Sequence, residues 1–438
     1  MRFTTHTLLL FSLAFGGGLA RAQATALDWD CGTYRGELAA GVPNGQGELA
    51  CDEFVYTGSF VDGVRQGKGT IDLRALGRYE GQVEDGMPQG RGTFYRPSGD
   101  WFEGEFTGWQ LTGPGRLYSP DGYYLEGEFV DGVLQKRGRL VFDNGDQYDG
   151  DFRDNQPHGK GHFTFHDGTE YQGEIAAGRF HGHGLIRLTT GVSYEGSFDS
   201  GRQTGQGVMT RPDGKQAKGY FVDGKLQGQG EVEFPNGDRY AGAFENGVPH
   251  GEGRYTWQSG DVYTGSFDQH AITGQGELEW VNGNRYKGQV KDGKMHGDGL
   301  LVLLDGTHYA GQFLLGSITG EGTRTLSTGE VYVGRLIEGL PHGDGKATYP
   351  DGSTYIGDFK RGLRDGKGEL IQVADGLRYV GEFENDQPHG IGTIYQGDDM
   401  VYHGKFVNGK RAGKLKFKGD RKRRKRQDAE EEVNDWES

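Results

Sequence analysis

Seventeen anchors of the form aromatic-x-Gly, set 23 residues apart with almost no drift, constrain what this chain can fold into. They fall at Tyr34, Tyr56, Tyr79, Phe102, Leu125, Tyr148, Tyr171, Tyr194, Ala217, Tyr240, Tyr263, Tyr286, Tyr309, Tyr332, Tyr355, Tyr379 and Tyr402, with Leu125 and Ala217 standing in for the aromatic. Only the first interval, 22 residues, and the one ending at Tyr379, 24 residues, deviate. A period this strict means stacked copies of one supersecondary unit rather than globular domains. Composition agrees: glycine is 83 of 438 residues and proline only 12, while Tyr and Phe together number 46, too many for a disordered chain.

The best-formed repeat is Tyr240 to Val262. Tyr240, Gly242 and Phe244 alternate with polar or small residues, the period of a strand with one face buried. Gly247 makes a corner. Pro249 to Gly253 reads as a loop, Arg254 to Trp257 as a short return strand, and Ser259-Gly260 as a turn. Asp-Gly and Asn-Gly pairs between repeats, such as Asp167-Gly168, Asn236-Gly237 and Asp351-Gly352, predict tight hairpin turns with positive φ at both residues. The strand glycine leaves room for a neighbouring aromatic ring over the backbone. One hairpin is not stable alone, but stacked hairpins bury a continuous aromatic row. The expected fold is all-β: an elongated, single-layer antiparallel β-hairpin array, on the order of 160 Å long at two strands of about 4.8 Å per repeat. Departures in the fifth repeat (Leu125, Lys136), the ninth (Ala217) and the eleventh (His270) predict local weakening or bends.

The unit Tyr-x-Gly-x-Phe-x-x-Gly-x-x-His-Gly-x-Gly, repeated in register over residues 34–413, resembles the MORN repeat (membrane occupation and recognition nexus). The resemblance implies an extended β-ribbon. It also implies a role as a scaffold, a membrane-contact tether or a module beside a kinase or methyltransferase domain, with dimerisation in some members. No such catalytic domain is attached here.

Charge and the chain ends bound the partners. The formal net charge is −15, yet residues 1–24 carry +2 and residues 410–438 carry 11 basic against 7 acidic side chains, so residues 25–409 hold −21. An acidic body repels phosphate, so nucleic acid is not an expected ligand of the array. Arg2, the apolar run Leu8 to Ala20 and Ala22-Gln23-Ala24 form the three regions of a signal peptide over residues 1–24. Export to the periplasm or outside the cell, as a soluble protein, is expected. Export gives meaning to the two cysteines, because a disulfide persists outside the cytosol. Cys31 precedes the first anchor strand and Cys51 lies in its return strand, roughly opposite, so a Cys31–Cys51 bond is expected. Residues 414–438 read as a charged, disordered tail, in which Arg421, Lys422, Arg423, Arg424, Lys425 and Arg426 are candidates for contact with an anionic membrane surface.

Candidate chemistry is sparse. His158, His181, His250, His296, His342 and His389 line up along one edge, but successive repeats lie about 10 Å apart, too far to share one ion. They are expected to support their loops. Gly-x-Gly strings precede no helix, and no Gly-x-Ser-x-Gly elbow occurs, so no catalysis and no cofactor are expected. The better candidates for partner binding are aromatics: Trp101, Phe102 and Trp109 clustered in the fourth repeat, with Trp257 and Trp280 further on. Taken together, the residues read as an exported, non-catalytic scaffold that binds protein partners, a second copy of the chain among them, with the tail touching an anionic membrane. A glycan- or phospholipid-binding module of the cell envelope is the alternative.

Overall fold

The computed structural model describes residues 26–412. The chain divides into two compact units at Thr189–Thr190. The first holds strands β1 (Ala26–Trp29) to β15 (Arg179–Arg187), and the second holds β16 (Ser193–Asp199) to β35 (Lys410–Ala412). In each unit, consecutive strands pair antiparallel in chain order, as in β12 (Gln147–Arg153) with β13 (Gln156–Thr164) and β20 (Arg239–Glu245) with β21 (Val248–Thr256). Both are single-layer meanders. Strand β1, which precedes the first anchor, was not legible in the repeat. It pairs with β2 (Gly32–Ala39), and Trp29 closes that end by donating its indole N–H to the Gly63 carbonyl at 3.2 Å.

The repeat folds differently from the sequence expectation at two points. The segment Pro249 to Gly253 is not a loop. It is the first half of β21, a strand that runs unbroken from Val248 to Thr256. The register gives the reason: Gly242 pairs with Gly253 but Phe244 pairs with Pro249, so the return strand carries extra residues in a bulge, and Gly251 takes φ 76° there. The turns also exchange roles. The two-residue turn with positive φ at both positions is Asn246-Gly247 (φ 53° and 83°), inside the repeat. The Asn236-Gly237 type of pair between repeats has only its glycine at positive φ, 87°, within a wider turn closed by Phe234 N–H to the Asp238 carbonyl at 2.9 Å.

Neighbouring repeats are joined along both edges. At the tight turns, the Gly247 N–H donates to the Leu226 carbonyl at 2.8 Å and the Gly362 N–H to the Pro341 carbonyl at 2.9 Å. At the wide turns, side chains reach forward one repeat. Asp238 accepts from the Gln258 N–H at 2.8 Å, Asp261 from Val281 at 2.9 Å, and Ser353 from Val373 at 3.1 Å. These bonds satisfy backbone groups that a lone hairpin would leave to water.

The core is one face of the sheet. Apart from Tyr309, the anchor tyrosines of repeats with two facing glycines lie over their own glycine and the cross-strand glycine, so the ring that fills the glycine gap is the repeat's own. Tyr240 is 1% exposed and donates its hydroxyl to the Ala243 carbonyl at 2.8 Å. The phenylalanine of the same repeat and that of the next then flank it edge-on. Tyr240 meets Phe244 at 5.0 Å and Phe267 at 4.8 Å, and Tyr355 meets Phe359 and Phe383 at 5.0 Å each. Edge-to-face geometry places positive ring edges on negative ring faces and adds to the burial gain.

In the fifth and ninth repeats a leucine takes the place of the missing ring. Where the anchor is Phe102, Leu125 or Ala217, the position facing the repeat's phenylalanine is Leu111, Leu134 or Leu226. Regular repeats such as Phe244 with Pro249 have proline at that position. These leucines are 2%, 0% and 4% exposed and fill the space over the glycines that a tyrosine ring would take. In the fifth repeat the free N–H of Leu134 also finds the Asn155 side chain at 2.6 Å.

Cys31 and Cys51 are joined by a disulfide with 5.4 Å between their Cα atoms, across a sequence separation of 20. Closing a loop of that size removes denatured-state entropy worth about 3 kcal/mol. Reduction is therefore expected to loosen the first hairpins selectively, and intact mass under non-reducing conditions should be lower by two hydrogens. Two free thiols in that measurement would refute the bond.

Burial raises the phenols of Tyr56, Tyr79, Tyr171, Tyr240 and Tyr263 from 10.0 to about 12. The unfolded chain then releases these protons before the folded one does. Stability is complete below about pH 10 and falls as pH rises towards 12. Alkaline titration should show tyrosinate absorbance and loss of β-sheet signal rising together. Ionisation near pH 10 with the sheet intact would contradict the packing.

Candidate functional site

A single-layer sheet has two faces, and here they differ. The tyrosine face is closed by its own rings, so binding chemistry falls to the opposite face, the edges and any gaps. The proposed tryptophan cluster does not exist. Strand alternation in β8 (Trp101–Thr107) buries Phe102, 7% exposed, on the tyrosine face and turns Trp101 to the other. Trp109 lies at the tight turn on the tyrosine face, edge-on to Tyr79 at 6.3 Å and Phe94 at 6.2 Å. Trp257 and Trp280 each open a wide turn, the place that Phe165, Phe234 and Tyr349 take in other repeats. Both are half-buried, and Trp257 packs edge-on against Tyr255 at 5.0 Å. Residues Arg421 to Arg426 lie outside the described residues.

Two features of the opposite face were missed. In the first unit Trp101 stacks on Tyr118 at 3.7 Å, with Tyr95 6.1 Å from Trp101 and Tyr124 5.6 Å from Tyr118 completing a short aromatic row. In three successive repeats of the second unit the residue after the anchor tyrosine is a large apolar side chain that stays exposed: Val333 51%, Ile356 51% and Val380 38%. In the first unit that same column reads Arg35, Thr57, Glu80, Glu103, Glu126, Asp149 and Gln172. Reading the column down the repeats, rather than along the chain, would have found it.

The second unit also carries a cavity of about 630 Å³ on the tyrosine face, lined in part by Tyr349, Arg364, Gln372 and Asp386. Arg364 replaces the usual proline. Its guanidinium lies 5.8 Å from the Tyr355 ring and 5.5 Å from the Phe383 ring, and it donates to the Asp386 carbonyl at 2.7 Å. Burial raises the Tyr349 phenol. The Gln372 Oε1 is buried without a hydrogen-bond partner.

The edge histidines make contacts within and between repeats. His250 stands between Glu245 at 3.8 Å and Asp268 of the next repeat at 3.4 Å, and the His296 carbonyl accepts from the Tyr286 hydroxyl at 3.2 Å. Among the described residues no three His, Cys, Asp or Glu side chains are grouped to hold a metal ion, and no helix is long and apolar enough to cross a membrane.

Fold and faces define a β-hairpin repeat protein whose units each present an open sheet face and two turn edges. The MORN repeat family model matches this sequence in sixteen segments, from 34–52 and 56–73 to 379–400 and 402–414, and the chain belongs to that family. Residues 102–125 fall outside the matched segments. The structure nevertheless folds them as a regular hairpin, with Gly104 opposite Gly115 and Phe106 opposite Leu111. MORN repeats generally mediate protein or membrane interactions.

No curated protein matches the chain. Solved structures with similarity include the TCP domain of SAS-4 (dCPAP) of Drosophila melanogaster in complex with a proline-rich motif of Ana2. It has 11% identity over 39% of this chain and 86% of that one, with a TM-score of 0.24. The TCP10 domain of Danio rerio CPAP in complex with a peptide of STIL has 13% identity over 60% and 91%, with a TM-score of 0.24. Virginiamycin B lyase from Staphylococcus aureus has 11% identity over 70% and 92%, with a TM-score of 0.12. Superpositions this poor carry no inference about function.

Proposed function

We propose that this protein is an exported, non-catalytic scaffold that binds protein partners through the open face and turn edges of its sheet. The observation that carries the reading is the asymmetry of the faces. The tyrosine face is consumed by the repeat's own rings. The opposite face holds exposed apolar residues that folding does not need, Val333, Ile356 and Val380 among them. Apolar area left on a finished fold is the mark of an interaction surface. Export through residues 1–24 and membrane contact through the basic run Arg421 to Arg426 belong to the same reading, with the tail attracted to anionic headgroups.

Two measurements test it. Affinity capture from an envelope extract should enrich specific proteins with the full chain, and less so when Val333, Ile356 and Val380 are changed to Ser. Flotation with anionic phosphatidylserine vesicles should recover the full chain and lose it on deletion of residues 414–438. Equal recovery of both forms removes the membrane role of the tail.

A further inference from the structure

We infer that the cavity of the second unit binds an uncharged planar heteroaromatic ring with donor and acceptor groups on its edge, the chemistry of a purine or pyrimidine base. This goes beyond the scaffold reading and uses neither the open face nor the tail.

The cavity stands where one ring of the repeat is missing. In the tenth repeat Tyr240 faces Tyr255, and two residues on Trp257 opens the wide turn. Phe165, Phe234, Trp280 and Tyr349 hold that place in other repeats. In the fifteenth repeat Tyr355 faces Leu370, and two residues on stands Gln372. The interval of 24 residues after Tyr355 accounts for the change. Its extra residue lets β31 (Leu363–Gln372) continue where the other repeats turn, pairing Gln372 with Leu377 of β32 (Leu377–Glu384). Gln372 and Tyr349 both line the space that is left, about 630 Å³, a size usual for small-molecule sites.

Two planar groups border this space. The Arg364 guanidinium lies over the Tyr355 ring at 5.8 Å and the Phe383 ring at 5.5 Å, with both rings buried beneath it. The half-buried Tyr349 ring is the second. Guanidinium planes and aromatic rings are the surfaces on which bases stack. The polar lining includes the amides of Gln372, Asn385 and Gln387. An amide offers a donor and an acceptor side by side, the complement of a base edge. The Gln372 Oε1 has no partner in the chain, so turning that amide about its last torsion towards a ligand costs the oxygen no hydrogen bond.

Charge selects against a phosphate. Arg364 is committed to Asp386, donating from Nε to Oδ1 at 3.2 Å and from Nη2 to the carbonyl at 2.7 Å. Asp351, held by the N–H and the hydroxyl of Ser353 at 2.8 Å each, adds a second carboxylate to the lining. Two carboxylates against one guanidinium favour a base or nucleoside over a nucleotide.

Isothermal titration calorimetry on the full chain tests this with adenosine, inosine and cytidine, and with their monophosphates and indole as contrasts. At least one nucleoside should bind with a Kd on the order of 10–100 µM. Its monophosphate should bind about tenfold more weakly or worse, and so should indole, which has a single donor and no acceptor for the amides. Gln372→Trp restores the ring of the other repeats, so it should melt no lower than wild type and lose about tenfold or more in affinity. Arg364→Lys keeps the charge without the plane, and Tyr349→Leu installs the residue that Leu303 and Leu326 provide at the same place. Each should also lose about tenfold, with circular dichroism unchanged. A wild type that binds no nucleoside overturns the proposal. So does a monophosphate or indole that binds as tightly as the best nucleoside, or a folded Gln372→Trp that binds like wild type. Any of these results leaves the scaffold reading standing, because none of the three variants alters the open face.

Discussion

Gly253→Ala is expected to open the tenth repeat, with a local stability loss of about 3 kcal/mol. The added methyl carbon would sit 2.5 Å from the Tyr240 hydroxyl oxygen and 2.6–2.7 Å from two ring carbons, all in a side chain that is 1% exposed. The tyrosine cannot yield, because its hydroxyl is tied to the Ala243 carbonyl at 2.8 Å and Phe244 and Phe267 hold the ring from both sides. The cost is steric and not conformational, since the positive-φ glycine of this strand is Gly251 rather than Gly253. Gly230→Ala in the ninth repeat is the contrast. There the new carbon meets Leu226 Cδ2 at 2.8 Å, the mobile end of a leucine in place of a clamped ring, so the loss should be clearly smaller. A repeat array need not unfold in one step, so amide hydrogen exchange of β20 and β21 is the appropriate readout beside the melting temperature. Equal losses for the two variants would show that the ring over the glycine is not what constrains the site.

Phe383→Ala should cost more, roughly 3–5 kcal/mol, and should do so across two repeats. Phe383 is 3% exposed and is shared: it stands edge-on to Tyr355 and to Tyr379 at 5.0 Å each, with the Arg364 guanidinium 5.5 Å away. Its removal breaks the aromatic row at a junction, and in a linear array each junction is the coupling between neighbours. Denaturant unfolding should then separate a C-terminal segment from the rest of the second unit. Tyr379→Phe keeps the ring and loses only the hydroxyl bond to the Glu382 carbonyl at 2.9 Å, so about 1 kcal/mol is expected. If Phe383→Ala melts as a single transition at the wild-type midpoint, the row is not the source of cohesion.

Much of the fold is visible in the repeat itself. Period-two alternation around Tyr240, Gly242 and Phe244 gives the strand, and the 23-residue spacing gives the stacking. The bulge was not visible, because Pro249 to Gly253 has the composition of a loop and only the pairing of Phe244 with Pro249 shows a strand. The substitutions at Leu125 and Ala217 looked like defects because their compensation, Leu134 and Leu226, lies nine residues on in the opposite strand. A contact between strands has no local signature.

The candidate site was less legible, for the same reason. Trp101 and Phe102 are adjacent in the chain and therefore on opposite faces of a strand, so proximity in sequence pointed the wrong way. Val333, Ile356 and Val380 are far apart in the chain and unremarkable singly. Pairing places them in one row, alternating with Lys346 and Glu369.

By itself the sequence determined the repeating unit, its strand character and the residues that seal one face, because these follow from local alternation and a fixed period. Only the tertiary structure decided which turn is tight, which leucine replaces a missing ring, and which charges share a row on the open face. Those are properties of register, which turn geometry and the buried pattern of facing strands fix together, so they show only once the strands are paired.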